Sequence, residues 1–456
     1  MRRHIETAIE AWAQAHTGRP LLIRGARRIG KTYSAESVGR RIAGDAFVKL
    51  DFQTNLDIIE PLFNGPTDDI EGIMRRIMDY KRIRLNPEEA IILFDEVQLS
   101  EKALNSLRFF SGSQWRIIAT GSQLGVNTKR RKLPFPSGVE QITMHPMTFE
   151  EFLWALGEDA IAQAIREHAA SCEPYAAHDE ALRLFRIYQV VGGMPAAVSA
   201  YVRTKNLDEV RIQQREIDET YTADMTDPEN GISGIAARKV WKSIPSQLLR
   251  SSTKKFKYSE VERGGRRSKL LEPIEWLASA GIATINDLTT STEAPLVSYN
   301  EEEGSYFKLY LADTGLTFYK FAINPMLWLD TEGAGGLTTS SDFRGALAEN
   351  SVMQALSAQD IPTFYWIPPS SWNANGEIDF VIQDELAHVI PIEVKSARNI
   401  RAKTLEMFMK HAGSPFAIVL SEQNFSMRAS EGGAEIRLMP LYAVHCLGEA
   451  CHVLSL

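Results

Sequence analysis

At 456 residues the chain has room for about three domains, and its 44% hydrophobic and 24% charged content is that of a folded globular protein rather than a disordered one. A net charge of −8, from 50 basic and 58 acidic residues, means that the protein as a whole does not attract nucleic acid; such binding would need a local basic patch. Three scattered cysteines, Cys172, Cys446 and Cys451, argue against a disulfide framework or a zinc site. No run of about 18 apolar residues offers a membrane span, and Glu6 and Glu10 interrupt what would be a signal-peptide core. A reducing, cytoplasmic setting is expected.

Met1 to Thr17 reads as an amphipathic helix, with Ile5, Ala8, Ile9 and Trp12 at helical spacing, closed by Gly18 and Pro20. An apolar strand, Leu21 to Ile23, then runs into Gly25-Ala26-Arg27-Arg28-Ile29-Gly30-Lys31-Thr32 and, from Tyr33, into a helix. This is the strand, loop and helix order of a phosphate-binding loop. The glycines let successive backbone N–H groups turn inward onto phosphate oxygens, Lys31 reaches the β and γ phosphates, and the Thr32 hydroxyl can hold Mg²⁺. Gly25, Ala26, Arg27, Arg28, Ile29, Gly30, Lys31, Thr32 and Tyr33 are therefore the candidate ATP contacts.

By chance the loop pattern arises in roughly one or two chains per hundred of this length. The run Ala90 to Glu96, a strand apolar on both faces that ends in two carboxylates, is what favours nucleotide binding over coincidence. Further strands are expected at Phe47 to Phe52, Arg116 to Thr120 and Val139 to Met144, with helices at Ile70 to Lys81 and Glu101 to Phe110. The alternation predicts an α/β fold with a parallel sheet, its ligand lying beyond the strand ends where Gly25, Asp95 and Ser122 would converge. Asp95 would hold Mg²⁺ through water, Glu96 would orient or deprotonate the attacking water, and Ser122 would sense the γ-phosphate. The alternative for Asp95 and Glu96 is a plain helix cap. Arg108, Arg130 and Arg131 are candidates for neutralising transition-state charge, with solvated surface arginine as the alternative for each.

From Thr148 to about Thr226 the pattern turns helical, with Phe149, Phe152, Leu153 and Leu156 on one stripe, Leu182, Phe185 and Tyr188 on another, and Gly192-Gly193-Met194-Pro195 as a break. This suits a helical lid. Helices at Lys239 to Leu249, Tyr258 to Glu262 and Arg266 to Ala280 precede strands at Ile282 to Leu288, Leu296 to Tyr299 and Phe307 to Leu311, an order compatible with a winged helix. Arg266, Arg267 and Lys269, with Lys254, Lys255 and Lys257, would then face DNA phosphates; solvated helix charges or a protein-binding face are the alternatives.

Thr331 to Ser341 reads as a linker. After it come a helix from Arg344 to Leu356 carrying Glu349, strands at Gly376 to Ile382 and His388 to Val394, a helix around Thr404 to His411 and a strand at Ala417 to Leu420. Asp379 lies on the first of these strands, and Glu393 and Lys395 share one face of the second. This set matches what metal-dependent phosphodiester cleavage requires: Asp379 and Glu393 would share Mg²⁺, Glu349 would extend the metal shell, and Lys395 would polarise the attacking water. An exposed polar strand face is the alternative.

GARRIGKT, IILFDE, IATGS, MTFEEFLWALGE, VVGGMPAAV, FKLYLADTGL, GALAEN and GEIDF with IPIEVKS, in this order, resemble the prokaryotic AAA-type ATPases that end in a restriction-endonuclease-like domain of unknown function. The resemblance implies an AAA-type P-loop ATPase core (residues 1–147), a helical lid (148–230), a winged helix (231–330) and a C-terminal PD-(D/E)XK nuclease-like α/β domain (331–456). It implies Walker A roles for Lys31 and Thr32, Walker B roles for Asp95 and Glu96, and nuclease-like positions for Glu349, Asp379, Glu393 and Lys395. Ile378 stands where a proline would precede Asp379. The expected function is ATP hydrolysis coupled to a DNA-facing nuclease-like module in DNA processing or defence; the alternative is a nucleotide-gated signalling or scaffold protein whose C-terminal domain binds a protein partner and cuts nothing.

Overall fold

The computed structural model describes residues 1–122, 136–250, 254–299, 306–329, 339–369, 372, 376–395 and 403–450. Arg130, Arg131, Cys451 and most of the expected linker Thr331 to Ser341 lie outside the described residues. The chain forms two compact units, one of Met1–His145 with residues 227–232 and 279–281, the other of the remainder.

In the first unit, β1 (Leu21–Arg24), β2 (Phe47–Asp51), β3 (Ile91–Asp95), β4 (Arg116–Gly121) and β5 (Glu140–Thr143) make one sheet in the order β2-β3-β4-β1-β5. Every pairing is parallel, so all five carboxyl ends lie on one edge. β3 is buried along its whole length, as its unbroken apolar run predicts. On one face Phe94 lies edge-on to Phe63 at 5.4 Å and to Phe110 at 5.9 Å, within a core that includes Leu50, Ile77, Ile92 and Leu107. Burying such a side chain stabilises the fold by about 1.5–3 kcal/mol. The helix Ile70–Lys81 starts where Asp69 accepts from the Gly72 N–H and buries Ile73, Met74 and Ile77; Glu101–Phe110 starts where Ser100 accepts from Ala103 N.

In the second unit, β6 (Ala283–Thr289), β7 (Phe307–Leu311), β8 (Phe364–Trp366), β9 (Ile378–Gln383), β10 (Val389–Val394), β11 (Phe416–Ser421), β12 (Ser426–Ala429) and β13 (Glu435–Pro440) form a mixed sheet ordered β12-β13-β11-β10-β9-β8-β6-β7. Helices Gly234–Leu248, Tyr258–Val261 and Arg267–Ser279 precede the antiparallel pair β6 and β7, as expected. β6, however, also pairs in parallel with β8, because its second edge of backbone N–H and C=O groups needs a partner once buried. The pair is thus part of the large sheet rather than a free wing, and the expected boundary between residues 330 and 331 divides a single sheet. Among the described residues Leu296 to Tyr299, expected as a strand, belongs to neither sheet, although Tyr299 N donates to Leu288 O at 2.7 Å.

The helix Ser341–Ser357 is buried along most of its length, and its polar residues are there to bond backbone. Asn350 donates to Leu311 O at 3.0 Å and accepts from Leu311 N at 3.1 Å, while Gln354 accepts from Thr314 N at 2.8 Å. Asp313 does the same at the Gly192-Gly193 break, accepting from Gly193 N at 2.6 Å and Leu316 N at 2.8 Å. Gly192, at φ +78°, is required there, since a Cβ would stand 2.4 Å from Asp313 Oδ1.

Candidate nucleotide site and ion cluster

The loop after β1 curls as its glycines allow. Gly25 takes φ +143° and lies against β5, where a Cβ would stand 2.3 Å from Met144 O; Gly30 takes φ +99° and opens the helix Lys31–Ala43. Arg28 adopts the left-handed conformation at φ +63° without being glycine, a local strain of about 1 kcal/mol that loops at functional sites retain. The buried Lys31 donates to Gly25 O at 3.0 Å and Ala26 O at 2.8 Å. Burial lowers its basicity, against the raising pull of Glu96 and Asp95. Of the other expected contacts, Ala26 and Ile29 are buried inside the loop, while Tyr33 is 61% exposed.

Because β4 lies between β1 and β3, the ends of all three strands meet. Asp95 Oδ1 accepts from Thr32 Oγ1 and from Thr120 Oγ1, both at 2.6 Å. Its other oxygen lies 3.1 Å from Lys49 Nζ on β2, and Lys49 also reaches Glu36 at 3.5 Å. Burial pulls the Lys49 ammonium down, but Asp95, Glu36 and Asp51 together outweigh it, and the group lies above the ordinary lysine range. Glu96 takes a left-handed backbone, φ +57°, which turns its side chain toward Ser122 and Gln98. Ser122 Oγ donates to Glu96 Oε2 at 2.9 Å and Gln98 Nε2 donates to the same oxygen at 2.6 Å. Burial pushes the Glu96 carboxyl up, but Lys31, Gln98 and Ser122 outweigh it, and the group lies below the ordinary glutamate range.

The structure therefore brings Gly25, Lys31, Thr32, Asp95, Glu96 and Ser122 to one strand-end edge and adds Thr120, Lys49 and Gln98. The helix-cap alternative for Asp95 does not describe its bonds, which run to Thr32 and Thr120. Arg108 instead lies over the Phe109 ring at 4.4 Å. A hydroxyl and one carboxylate side by side are the donor set with which proteins hold Mg²⁺ on a bound phosphate, so Thr32 and Asp95 fit that ion.

The second unit gathers the other expected residues differently. Asp379 and Glu393 lie on adjacent antiparallel strands, and Asp379 Oδ2 accepts from Val394 N at 2.8 Å. Glu393 pairs with Lys395, and Glu349 with Lys254. Lys308 on β7, 0% exposed, places its ammonium 2.5 Å from Glu377 Oε1, 3.6 Å from Glu349 Oε2 and 3.9 Å from Asp379 Oδ1. Burial and the neighbouring Glu349 and Glu393 hold the Asp379 carboxyl well above its ordinary range, whereas Lys308 and Lys254 outweigh burial at Glu349 and hold it low. Among the described residues no group of three His, Cys, Asp or Glu side chains is disposed to hold a metal ion. Glu349, Asp379 and Glu393, expected around Mg²⁺, each face a lysine here: Lys254, Lys308 and Lys395.

The expected basic face also changes. Lys254 turns inward to Glu349, Lys269 pairs with Glu262, and Lys255 lies over the Tyr306 ring at 4.0 Å. Arg266, Arg267, Lys257 and Lys269 are the exposed members of that set.

Residues 17–153 match the family described as AAA domain. Residues 182–326 and 344–443 match two families each described as a domain of unknown function, DUF8612 and DUF4143. No curated protein matches the chain. Among solved structures, similarity extends to Caenorhabditis elegans PCH-2, at 13% identity over 48% of this chain and 67% of that one with a TM-score of 0.27. It extends to Cdc6p from Pyrobaculum aerophilum at 13% identity, 62% and 86% coverage and a TM-score of 0.25. A signal transduction ATPase with numerous domains and a tetratricopeptide repeat sensor, from Pyrococcus horikoshii, is similar at 12% identity over 78% of this chain and 48% of that one, with a TM-score of 0.27. In their loop and strand order, residues 17–153 are similar to an AAA-type P-loop domain, the family they match.

Proposed function

We propose that the chain binds ATP with Mg²⁺ at Gly25–Thr32 and hydrolyses it, and that the nucleotide state governs what the second unit binds. The observation that carries this reading is the single bonded array Thr32–Asp95–Thr120 beside Glu96–Ser122. Loop N–H groups and Lys31 would bind the phosphates, and Thr32 and Asp95 would hold the ion, which neutralises phosphate charge when bound. Glu96, kept ionised by its neighbours, is suited to orient water and to accept its proton, and Ser122 fixes the carboxylate's position. Phosphate release measured on wild type and Lys31→Ala tests the reading: turnover in the first and its loss in the second are expected.

For the second unit, the lysine pairing of Glu349, Glu377 and Glu393 favours a partner-binding module over a nuclease. The exposed Arg266, Arg267 and Lys257 leave an acidic partner, nucleic acid included, within this reading.

A further inference from the structure

A fully buried lysine is rare unless its charge is matched, and Lys308 is matched several times over. Its ammonium faces Glu377, Glu349 and Asp379 at 2.5, 3.6 and 3.9 Å, with the Tyr365 ring 5.2 Å away. A divalent cation held by the same carboxylates would need several of their oxygens turned to one point at about 2.0–2.6 Å. Most of the oxygens that would ligate it are committed elsewhere, the buried Glu393 Oε2 excepted, which has no hydrogen-bond partner. Glu349 has one oxygen on Lys254 and accepts from the Tyr310 hydroxyl at 3.2 Å with the other. Asp379 Oδ2 is held by Val394 N, and Glu393 Oε1 by Lys395. Three lysines, Lys254, Lys308 and Lys395, thus face four carboxylates, Glu349, Glu377, Asp379 and Glu393, and little negative charge is left for a metal to neutralise.

We propose that the Lys308 ammonium stands in the place a divalent cation would take between Glu349 and Asp379, so that this cluster is a metal-independent ion-pair core. The β9–β10 strand pair then keeps the outline of a phosphodiesterase site without its metal-assisted chemistry. Lys308 holds the helix Ser341–Ser357 to the sheet through Glu349, and the strand ends through Glu377 and Asp379. The inference concerns the second unit alone and stands whether or not Gly25–Thr32 binds ATP.

The test is Mn²⁺ titration of the full chain without nucleotide, followed by electron paramagnetic resonance, with Asp95→Asn in every protein to silence the loop carboxylate. With Lys308 present, no Mn²⁺ site that depends on Asp379 is expected. Lys308→Met is expected to acquire one, lost again on adding Asp379→Asn. Since Lys308→Met strands buried carboxylates and can prevent folding, the thermal midpoint of the Lys308 protein is also compared in EDTA and in millimolar Mn²⁺, with no shift expected. An Asp379-dependent Mn²⁺ signal or upward midpoint shift with Lys308 in place overturns the proposal. So does a folded Lys308→Met protein that binds no Mn²⁺.

Discussion

Thr32 Oγ1 donates to Asp95 Oδ1 across 2.6 Å, joining the last residue of the phosphate loop to the end of β3. The same oxygen accepts from Thr120, so one carboxylate oxygen ties together the ends of three different segments. Asp95→Asn keeps the shape but turns a charged acceptor into a neutral one shared by two hydroxyl donors. The expected outcome is a stability loss of about 1–3 kcal/mol, read by urea unfolding, together with loss of Mg²⁺-dependent ATP turnover.

On the proposed reading, Glu96 serves hydrolysis rather than binding. Glu96→Gln retains an acceptor for Ser122 and Gln98 but cannot take a proton from water. Affinity for a fluorescent ATP analogue is expected to stay within a few-fold of wild type, while phosphate release falls by about 10²–10⁴. An equal fall in both would mean that Glu96 acts in binding alone.

Asp313 gives the second unit a pH dependence. Burial raises its carboxyl from 3.8 to about 6, opposed only in part by bonds from Gly193, Leu316 and Gly315. Folding therefore takes up a proton between those two values. The stabilising contribution is complete below the unfolded value and is lost as pH rises to about 6, above which the buried carboxylate costs about 3 kcal/mol. Between pH 5 and pH 7.5, urea unfolding should show wild type losing about 1 kcal/mol relative to Asp313→Asn. Parallel profiles for the two proteins would contradict this.

Breaking the ion core from its carboxylate side should be severe. Glu349→Ala leaves Lys254 without its carboxylate and removes one of the three that face Lys308, and removing one partner of a buried pair costs about 3–5 kcal/mol. A loss of that size is expected in thermal unfolding, unchanged by EDTA.

The loop and the carboxylate strand were legible because their chemistry is local: a strand, a glycine turn and a helix follow one another within Leu21–Ala43, and the buried Ile91–Asp95 reads directly from its apolar run. The helices Ile70–Lys81 and Glu101–Phe110 carry their own caps and match their expected bounds. Lys49, Gln98 and Lys308 were not legible as site residues. Each sits in an otherwise apolar or turn segment, and what gives it a role is a partner on another strand. A lysine flanked by Phe307, Leu309, Tyr310 and Leu311 is the one signal that marked Lys308, since a strand buried on both faces leaves its amine nowhere in solvent to go. The joining of β6 to β8 likewise depends on residues Asp287 and Phe364, far apart in the chain.

On the proposed reading, the loop Gly25–Thr32 and the carboxylates Asp95 and Glu96 form one hydrolytic site. Steady-state phosphate release from Mg²⁺·ATP by wild type and Lys31→Ala addresses it most directly. Turnover by wild type, reduced at least about 10²-fold by removing the Lys31 ammonium, is the predicted result. Absence of turnover in wild type, or equal turnover in the two proteins, would contradict it.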